Sequence, residues 1–350
     1  MKRAILYKKL AHQLVQCQSC SWYCKIPAGK LGVCATRLNR HGHLYSLVYG
    51  HAVGLQFDPV EKKPLYHFLP GSSLLSFGTL GCNFACSFCQ NWDMSQINKD
   101  PKIKASLDKL IALINTASVP ITPKKLVGLT LAQAAAGIAY TYNEPAIFAE
   151  FAHDTAVLAR QQGLKNVYVS NGFESLETFN YLKQYLDAIN IDLKSFSAKF
   201  YQRICRAKIE PVKENIKRFF RSGIETEVTT LVIPGYNDSP KELNAIARFL
   251  FSISPDIPWH LSAFHPDYQL QNAPPTPHAT LLQAYDIGKK VGLRYIYLGN
   301  LFDSEHSATF CPQCSSLLIS RSNYIGQIVN LDLKSGRCRH CAQTIYGTWH

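Results

Sequence analysis

The sequence predicts an α/β fold: a full or partial (β/α) barrel with a small N-terminal Cys-rich module and a C-terminal zinc-ribbon-like module. Two observations carry this expectation. Apolar strand-like runs alternate with amphipathic helical stretches from residue 74 to residue 298, as repeated strand–crossover–strand units require. Eleven of the twelve cysteines fall into three tight groups, one before the alternating region, one at its start and one after it. The expected divisions are 1–70 for the N-terminal module, 71–303 for the barrel and 304–350 for the tail.

The first sixteen residues, MKRAILYKKLAHQLVQ, read as a short amphipathic helix. Lys8, Lys9 and His12 interrupt any apolar stretch that would serve as an export signal, so the cytoplasm is the expected compartment. Cys17, Cys20, Cys24 and Cys34 follow, set among Gly and Pro turns with little apolar surface. A metal is the expected cross-link there, either zinc or an auxiliary iron–sulfur cluster. Residues 43–70 read as a β-rich connection with turns at Asp58-Pro59 and Leu69-Pro70-Gly71. Within it, Lys63 and His67 are candidates to face a site, and a structural role for His67 is the competing reading.

Strands are expected at residues 74–80, 137–142, 166–170, 188–193, 227–233, 259–264 and 295–298. Helices are expected at 148–161, 176–185, 211–222, 241–251 and 280–290. Thr122-Pro123 is a good N-cap and N1 pair for a further helix. Residues 105–114 read as an amphipathic helix in a surface insertion. In a (β/α) barrel the loops after the strands build the active face. Those loops hold Cys82, Cys86 and Cys89, then Asn143-Glu144-Pro145, Ser170-Asn171-Gly172, Asp192 with Lys194, Pro234-Gly235-Tyr236-Asn237-Asp238, and His265-Pro266-Asp267. Each has an ordinary turn or cap explanation alone. Their recurrence at successive strand ends points to a functional rim.

The chemistry centres on Gly81-Cys82-Asn83-Phe84-Ala85-Cys86-Ser87-Phe88-Cys89. Three thiolates can hold three irons of a cubane, and the next cysteine is Cys205, more than a hundred residues on. A cluster with three protein ligands leaves one iron open, which is what metal-centred catalysis needs. A zinc site with a remote fourth ligand is the alternative. In the tail, Cys311-x2-Cys314 and Cys338-x2-Cys341 are separated by 23 residues, with β-like segments at 317–320 and 327–331. That spacing suggests a zinc ribbon, with a second cluster as the alternative. Lone Cys205 reads as a small buried residue.

Hydrophobic residues make up 47% and charged residues 17% of the 350, enough for a substantial core. No run of eighteen apolar residues occurs, so no membrane span is expected. The formal charge of +13 falls to about +8 once eleven thiolates and three metal centres are counted. The basic residues are scattered, so a solvated surface is the default reading, with RNA as a weaker one.

The stretches DPVEKKPLYHFLPGS, GCNFACSFCQNWDMS, IAYTYNEPAIF, YVSNGF, INIDLKSF and TTLVIPGYNDS give the chain a family likeness. It resembles the radical S-adenosylmethionine (SAM) enzymes, in the group related to pyruvate formate-lyase activating enzyme. More narrowly it resembles the radical SAM member of the AmmeMemoRadiSam system. The resemblance implies a 4Fe–4S cluster on Cys82, Cys86 and Cys89, with SAM on its open iron and Phe88 beside the adenine. It assigns the SAM amino group to Asn143, Glu144 and Pro145. Ser170, Asn171, Asp192 and Lys194 go to the carboxylate and ribose, Ile233 and Pro234 to the adenine, and His265 to SAM or substrate. Asn143, Val169 and Thr229 depart from the activating-enzyme pattern. The implied activity is reductive cleavage of SAM to a 5′-deoxyadenosyl radical that abstracts hydrogen from a companion protein. The implied partners are a flavodoxin or ferredoxin as electron donor and Memo-type and AMMECR-type proteins. RNA modification and a non-catalytic cluster scaffold or redox sensor are the rival functions.

Overall fold

Strands and helices alternate as the sequence predicts, in a computed structural model that describes residues 1–350. The chain divides into two compact units, residues 1–58 with 74–187 and residues 59–73 with 188–350. The mixed α/β architecture rests on parallel strands in both.

In the first unit, Ser73–Gly78, Gly137–Tyr140 and Lys165–Ser170 run parallel, with Ile138 level with Leu75 on one side and Asn166 on the other. Every residue of Gly137–Tyr140 is buried, which is why the run reads as continuously apolar instead of alternating. The helices Pro123–Ala132, Ala149–Gln161 and Leu176–Leu182 connect and cover these strands. Thr122 Oγ1 accepts from Lys125 N at 3.2 Å and Ser175 Oγ from Thr178 N at 3.0 Å, so both predicted and unpredicted caps close helix N-termini. The insertion forms Pro101–Lys104 and Leu107–Ala117, the second overlapping the expected 105–114.

The N-terminal stretch corrects an expectation. The first sixteen residues form no helix: Lys2–Arg3 pairs with His43–Ser46, and Tyr7–Lys9 pairs with Val15–Cys17. Backbone pairing with later segments outweighs the local 3.6-residue pattern, which is a weak prior in so short a window. Val15–Cys17 also pairs with Lys25–Ile26, and Arg37–Arg40 with His43–Ser46, so small antiparallel sheets present Cys17, Cys20, Cys24 and Cys34.

In the second unit, Ala188–Asp192, Glu225–Val232, Trp259–Ala263 and Ile296–Gly299 are parallel neighbours in that order. Their crossovers are Glu210–Arg221, Pro240–Ile253 and His278–Val291. Beyond them, Thr309–Phe310, Leu317–Ser322 and Ile325–Ile328 form an antiparallel sheet, and Leu331–Asp332 pairs with Arg337–Cys338. Tyr66, Tyr295, Tyr297, Leu318, Ile319, Leu331, Ile345 and Trp349 pack into a common core there.

His67 belongs to that core and is fully buried. Its Nδ1 lies 2.5 Å from Tyr346 O and its Nε2 2.6 Å from Tyr297 Oη, with Tyr295 and Trp349 against the ring. Burial pushes its pKa down to about 4. The neutral ring with the proton on Nδ1 satisfies both neighbours, so His67 is structural. Cys205 is likewise fully buried, at the end of the π-turn Tyr201–Cys205.

Candidate functional site

The strand Ser73–Gly78 delivers the chain to the three-cysteine loop, and glycine is required on the way. A Cβ on Gly81, at φ +91°, would lie 2.6 Å from Asn98 Nδ2 and Thr36 Cγ2 and 2.7 Å from Cys34 O. Only glycine fits both that backbone angle and that space. Cys82 and Cys86 are buried and Cys89 is partly buried. Phe84 N donates to Cys82 Sγ at 3.4 Å, and Cys89 Sγ lies 3.1 Å from Ser95 Oγ. Burial pushes the Cys82 thiol up to about 12, against the nearby charge of Lys99. A bound metal is what would make such a thiol a thiolate at neutral pH.

The polar residues after the next two strands close onto this loop as one hydrogen-bonded network. Asn143 Nδ2 donates to Thr79 O at 2.8 Å and Gly81 O at 2.7 Å, and its Oδ1 accepts from Thr79 N at 3.3 Å. This gives Asn143 a role of its own: the amide side chain ties the end of Gly137–Tyr140 to the three-cysteine loop. Glu144 is fully buried and accepts from Ala146 N at 3.0 Å, Ser170 Oγ at 3.0 Å and Asn171 N at 2.8 Å. Asn171 Nδ2 then donates to Asn83 Oδ1 at 2.7 Å and reaches Cys82 Sγ at 3.9 Å. Asn143, Glu144, Ser170 and Asn171 are thus brought together with Cys82. Pro145 opens the buried turn Pro145–Phe148, and Phe88 is buried within the cysteine loop.

In the second unit, Lys194 Nζ pairs with Asp192 Oδ2 at 2.9 Å, with both side chains partly accessible. Asn237 organises this strand end. Its Nδ2 donates to Lys194 O at 2.7 Å and Leu231 O at 2.8 Å, while its Oδ1 accepts from Ile233 N at 2.6 Å. Ile233 is fully buried and Pro234 half-buried. His265 is exposed and lines a cavity of about 620 Å³ together with Tyr66, Asn300, Phe302 and Arg321. Phe302 is 98% exposed at that cavity. Lys63, a candidate to face a site, is buried.

The ribbon thiols form a close set, with the sulfurs of Cys311, Cys314, Cys338 and Cys341 all within 4.8 Å of one another. Cys311 to Cys341 is 3.5 Å and Cys314 to Cys338 is 3.7 Å. Four sulfurs held about 2.3 Å from one tetrahedral ion stand roughly 3.8 Å apart, so the set fits a single metal ion.

Two contributors escape the sequence reading, and a third shows there without its role. Lys99, on the turn Ile97–Lys99, is within electrostatic reach of Cys82, Cys86, Cys89 and Cys34, and burial lowers its pKa. Asn83 carries Asn171, and its carbonyl accepts from Trp22 Nε1 at 3.0 Å. Its place between Cys82 and Cys86 was the available signal. Asn237 stands in a rim loop that the sequence singles out, but its clamp spans 43 residues and has no local signal.

The radical SAM superfamily matches this chain over residues 77–250. An uncharacterized protein of Methanocaldococcus jannaschii is 39% identical over 349 residues, 99% of either chain. A benzylsuccinate synthase activating enzyme of Thauera aromatica is 26% identical over 123 residues, 33% of this chain and 35% of that enzyme. Among solved structures, a radical SAM methyltransferase from Sphaerobacter thermophilus aligns over 71% of both chains at 14% identity and a TM-score of 0.50, a likeness of fold.

Proposed function

Residues 77–250 form a radical SAM superfamily domain, and from that premise we propose an enzyme that cleaves SAM reductively and abstracts hydrogen from a companion protein. The observation that carries the reading is the network joining Asn143, Glu144, Ser170 and Asn171 to the Cys82 loop. When bound through Cys82, Cys86 and Cys89, a 4Fe–4S cluster supplies the single electron that breaks the sulfonium bond of SAM.

The protein's own part is positioning and shielding. Gly81 lets the loop approach Asn98 and the Cys34 carbonyl, and Asn143 pins Thr79 and Gly81 so that the three thiols keep their spacing. Glu144, held by two N–H groups and the Ser170 hydroxyl, keeps its carboxylate fixed beside the strand ends. That anchoring lets the backbone after Asn143 present carbonyls to an ammonium group. Asp192 and Lys194 offer one charge of each sign, as a zwitterionic amino-acid end requires. Ile233 and Pro234 supply apolar surface for an adenine. The cavity beside His265, with Phe302 exposed on it, has room for a protein side chain, which supports a macromolecular substrate. The electron donor is assigned to the flavodoxin or ferredoxin class, and the ribbon metal to zinc.

The test is anaerobic reconstitution with iron and sulfide, reduction, and assay of SAM for 5′-deoxyadenosine. The native chain is expected to form it and the Cys86→Ala variant to form none. A loaded, reducible cluster that leaves SAM intact, with candidate partner proteins added, would sink the proposal.

A further inference from the structure

The N-terminal cysteines converge although they come from different turns. Cys17, Cys20, Cys24 and Cys34 line one narrow cavity, together with Ser19, Trp22, Arg37 and Asn83. Each thiol is within electrostatic reach of its neighbours: Cys17 and Cys34 act on Cys20, and the same two act on Cys24. Three of the four are buried. By contrast, the ribbon set includes an exposed Cys341 and a partly buried Cys314. Arg37, its charge balanced by Glu150 at 2.7 and 2.8 Å, also lies within reach of Cys17 and Cys34.

A second observation points to a ligand. Asn83 is 1% exposed, and its Nδ2 has no hydrogen-bond partner, although its Oδ1 and carbonyl oxygen are both engaged. A buried amide donor left unpaired costs about 1–3 kcal/mol, so it implies an acceptor. Ser19, also buried, has a hydroxyl with no hydrogen-bond partner. A lone zinc ion offers donors only the four thiolates that already hold it. An iron–sulfur cubane adds bridging sulfides, and hydrogen bonds to those sulfurs are a known lever on its potential.

We propose that this cavity holds an auxiliary 4Fe–4S cluster, with Cys17, Cys20, Cys24 and Cys34 as ligands and the Asn83 amide donating to its sulfur. Asn83 follows Cys82 directly and is hydrogen-bonded through Asn171, which also reaches the Cys82 sulfur. The auxiliary cluster therefore adjoins the centre on the Cys82 loop and exchanges one electron with it. A low-potential carrier or dithionite supplies that electron; one cluster is oxidised as the other is reduced, and no proton or bond changes hands. The exchange rests on the reading of the Cys82 loop given above; the metal assignment does not.

Metal analysis of the anaerobically reconstituted full chain tests the assignment. About eight iron, eight sulfide and one zinc per chain are expected; about four iron with two zinc overturns it. The triple variant Cys82→Ala, Cys86→Ala, Cys89→Ala is expected to keep about four iron and a reduced-cluster electron paramagnetic resonance signal after dithionite. Zinc in place of that iron overturns the proposal. If the triple variant fails to fold, as loss of ribbon zinc would reveal, the pair Cys17→Ser, Cys20→Ser in the otherwise native chain must drop iron by about half; unchanged iron overturns it. In the triple background, Asn83→Ala must lower the midpoint potential of the remaining cluster, and no shift removes Asn83 from its role. For the exchange, the fully reduced native spectrum must be broadened relative to the sum of the two single-cluster spectra. A plain sum overturns it. Two clusters without SAM cleavage would instead refute the function and leave the site standing.

Discussion

Replacing Arg37 by methionine should be among the most damaging single changes in the first unit. Its guanidinium and the Glu150 carboxylate are each 1% exposed and meet at 2.7 and 2.8 Å. Arg37 also donates to Ile147 O at 3.0 Å, and Glu150 accepts from Ile5 N at 3.0 Å. Burial by itself would raise the Glu150 carboxyl, but Arg37 outweighs it and holds the group below its ordinary value. Arg37→Met leaves a buried carboxylate with little compensation, at a cost of about 3–5 kcal/mol. Glu150→Met strands the guanidinium at a similar cost. The double variant should lose at least about 2 kcal/mol less than the sum, because no charge is left behind. The pH response separates this from lost packing. In the native chain the folded pKa is depressed, so the contribution is full above the ordinary value of 4.5 and fades as pH falls below it. In Arg37→Met the uncompensated carboxyl is raised, so stability should instead recover on acidification. Urea unfolding of the metal-loaded protein measures both. A cost below about 1 kcal/mol, or a strictly additive cycle, would refute the argument.

Three further outcomes follow from the geometry. His67, lowered to about 4 from 6.5 by burial, should give full stability above its unfolded value and lose about 3 kcal/mol as pH falls toward the folded one. His67→Phe should flatten that part of the pH–stability curve, and an unchanged slope would count against a neutral buried ring. Asn143→Gly, although closer to the activating-enzyme pattern, removes the donor to Thr79 O and Gly81 O. It should release iron faster under a ferrous chelator, by several-fold, and equal rates would mean that the clamp is idle. Cys314→Ala should abolish binding of one metal ion per chain and lower the melting temperature, because Cys311 and Cys338 are part of the core with Leu318 and Trp349. Retention of that metal would contradict the four-thiol site.

The parts of this architecture that the sequence exposed are those written in local spacing. The parallel strands showed because residues such as those of Gly137–Tyr140 are buried on both faces, leaving an uninterrupted apolar run. The Cys82 loop and the ribbon pairs showed because metal ligands must sit at short, fixed intervals. Asn143 was found by position, yet its function as a clamp depends on side-chain reach across 64 residues. Lys99 carried no signal, since a lysine in an insertion is ordinarily a solvated one and only tertiary folding brings it to Cys82. The N-terminal strands were missed for the same reason: Lys2 finds its partner at Ser46, and no local period records that.

His67 also has a bearing on how the chain is made. Its ring nitrogen rests on the carbonyl of Tyr346, 279 residues later, and its backbone amide on Glu227, 160 residues later. During synthesis, residues 59–73 must therefore wait, with Tyr66 and His67 still without their core partners, until Tyr346 leaves the ribosome. Such distant pairing slows maturation and lengthens exposure to aggregation. Nascent chains of this protein should consequently depend on chaperone protection until residues 346–349 emerge, and loss of residues 346–350 should leave the second unit unable to close its core.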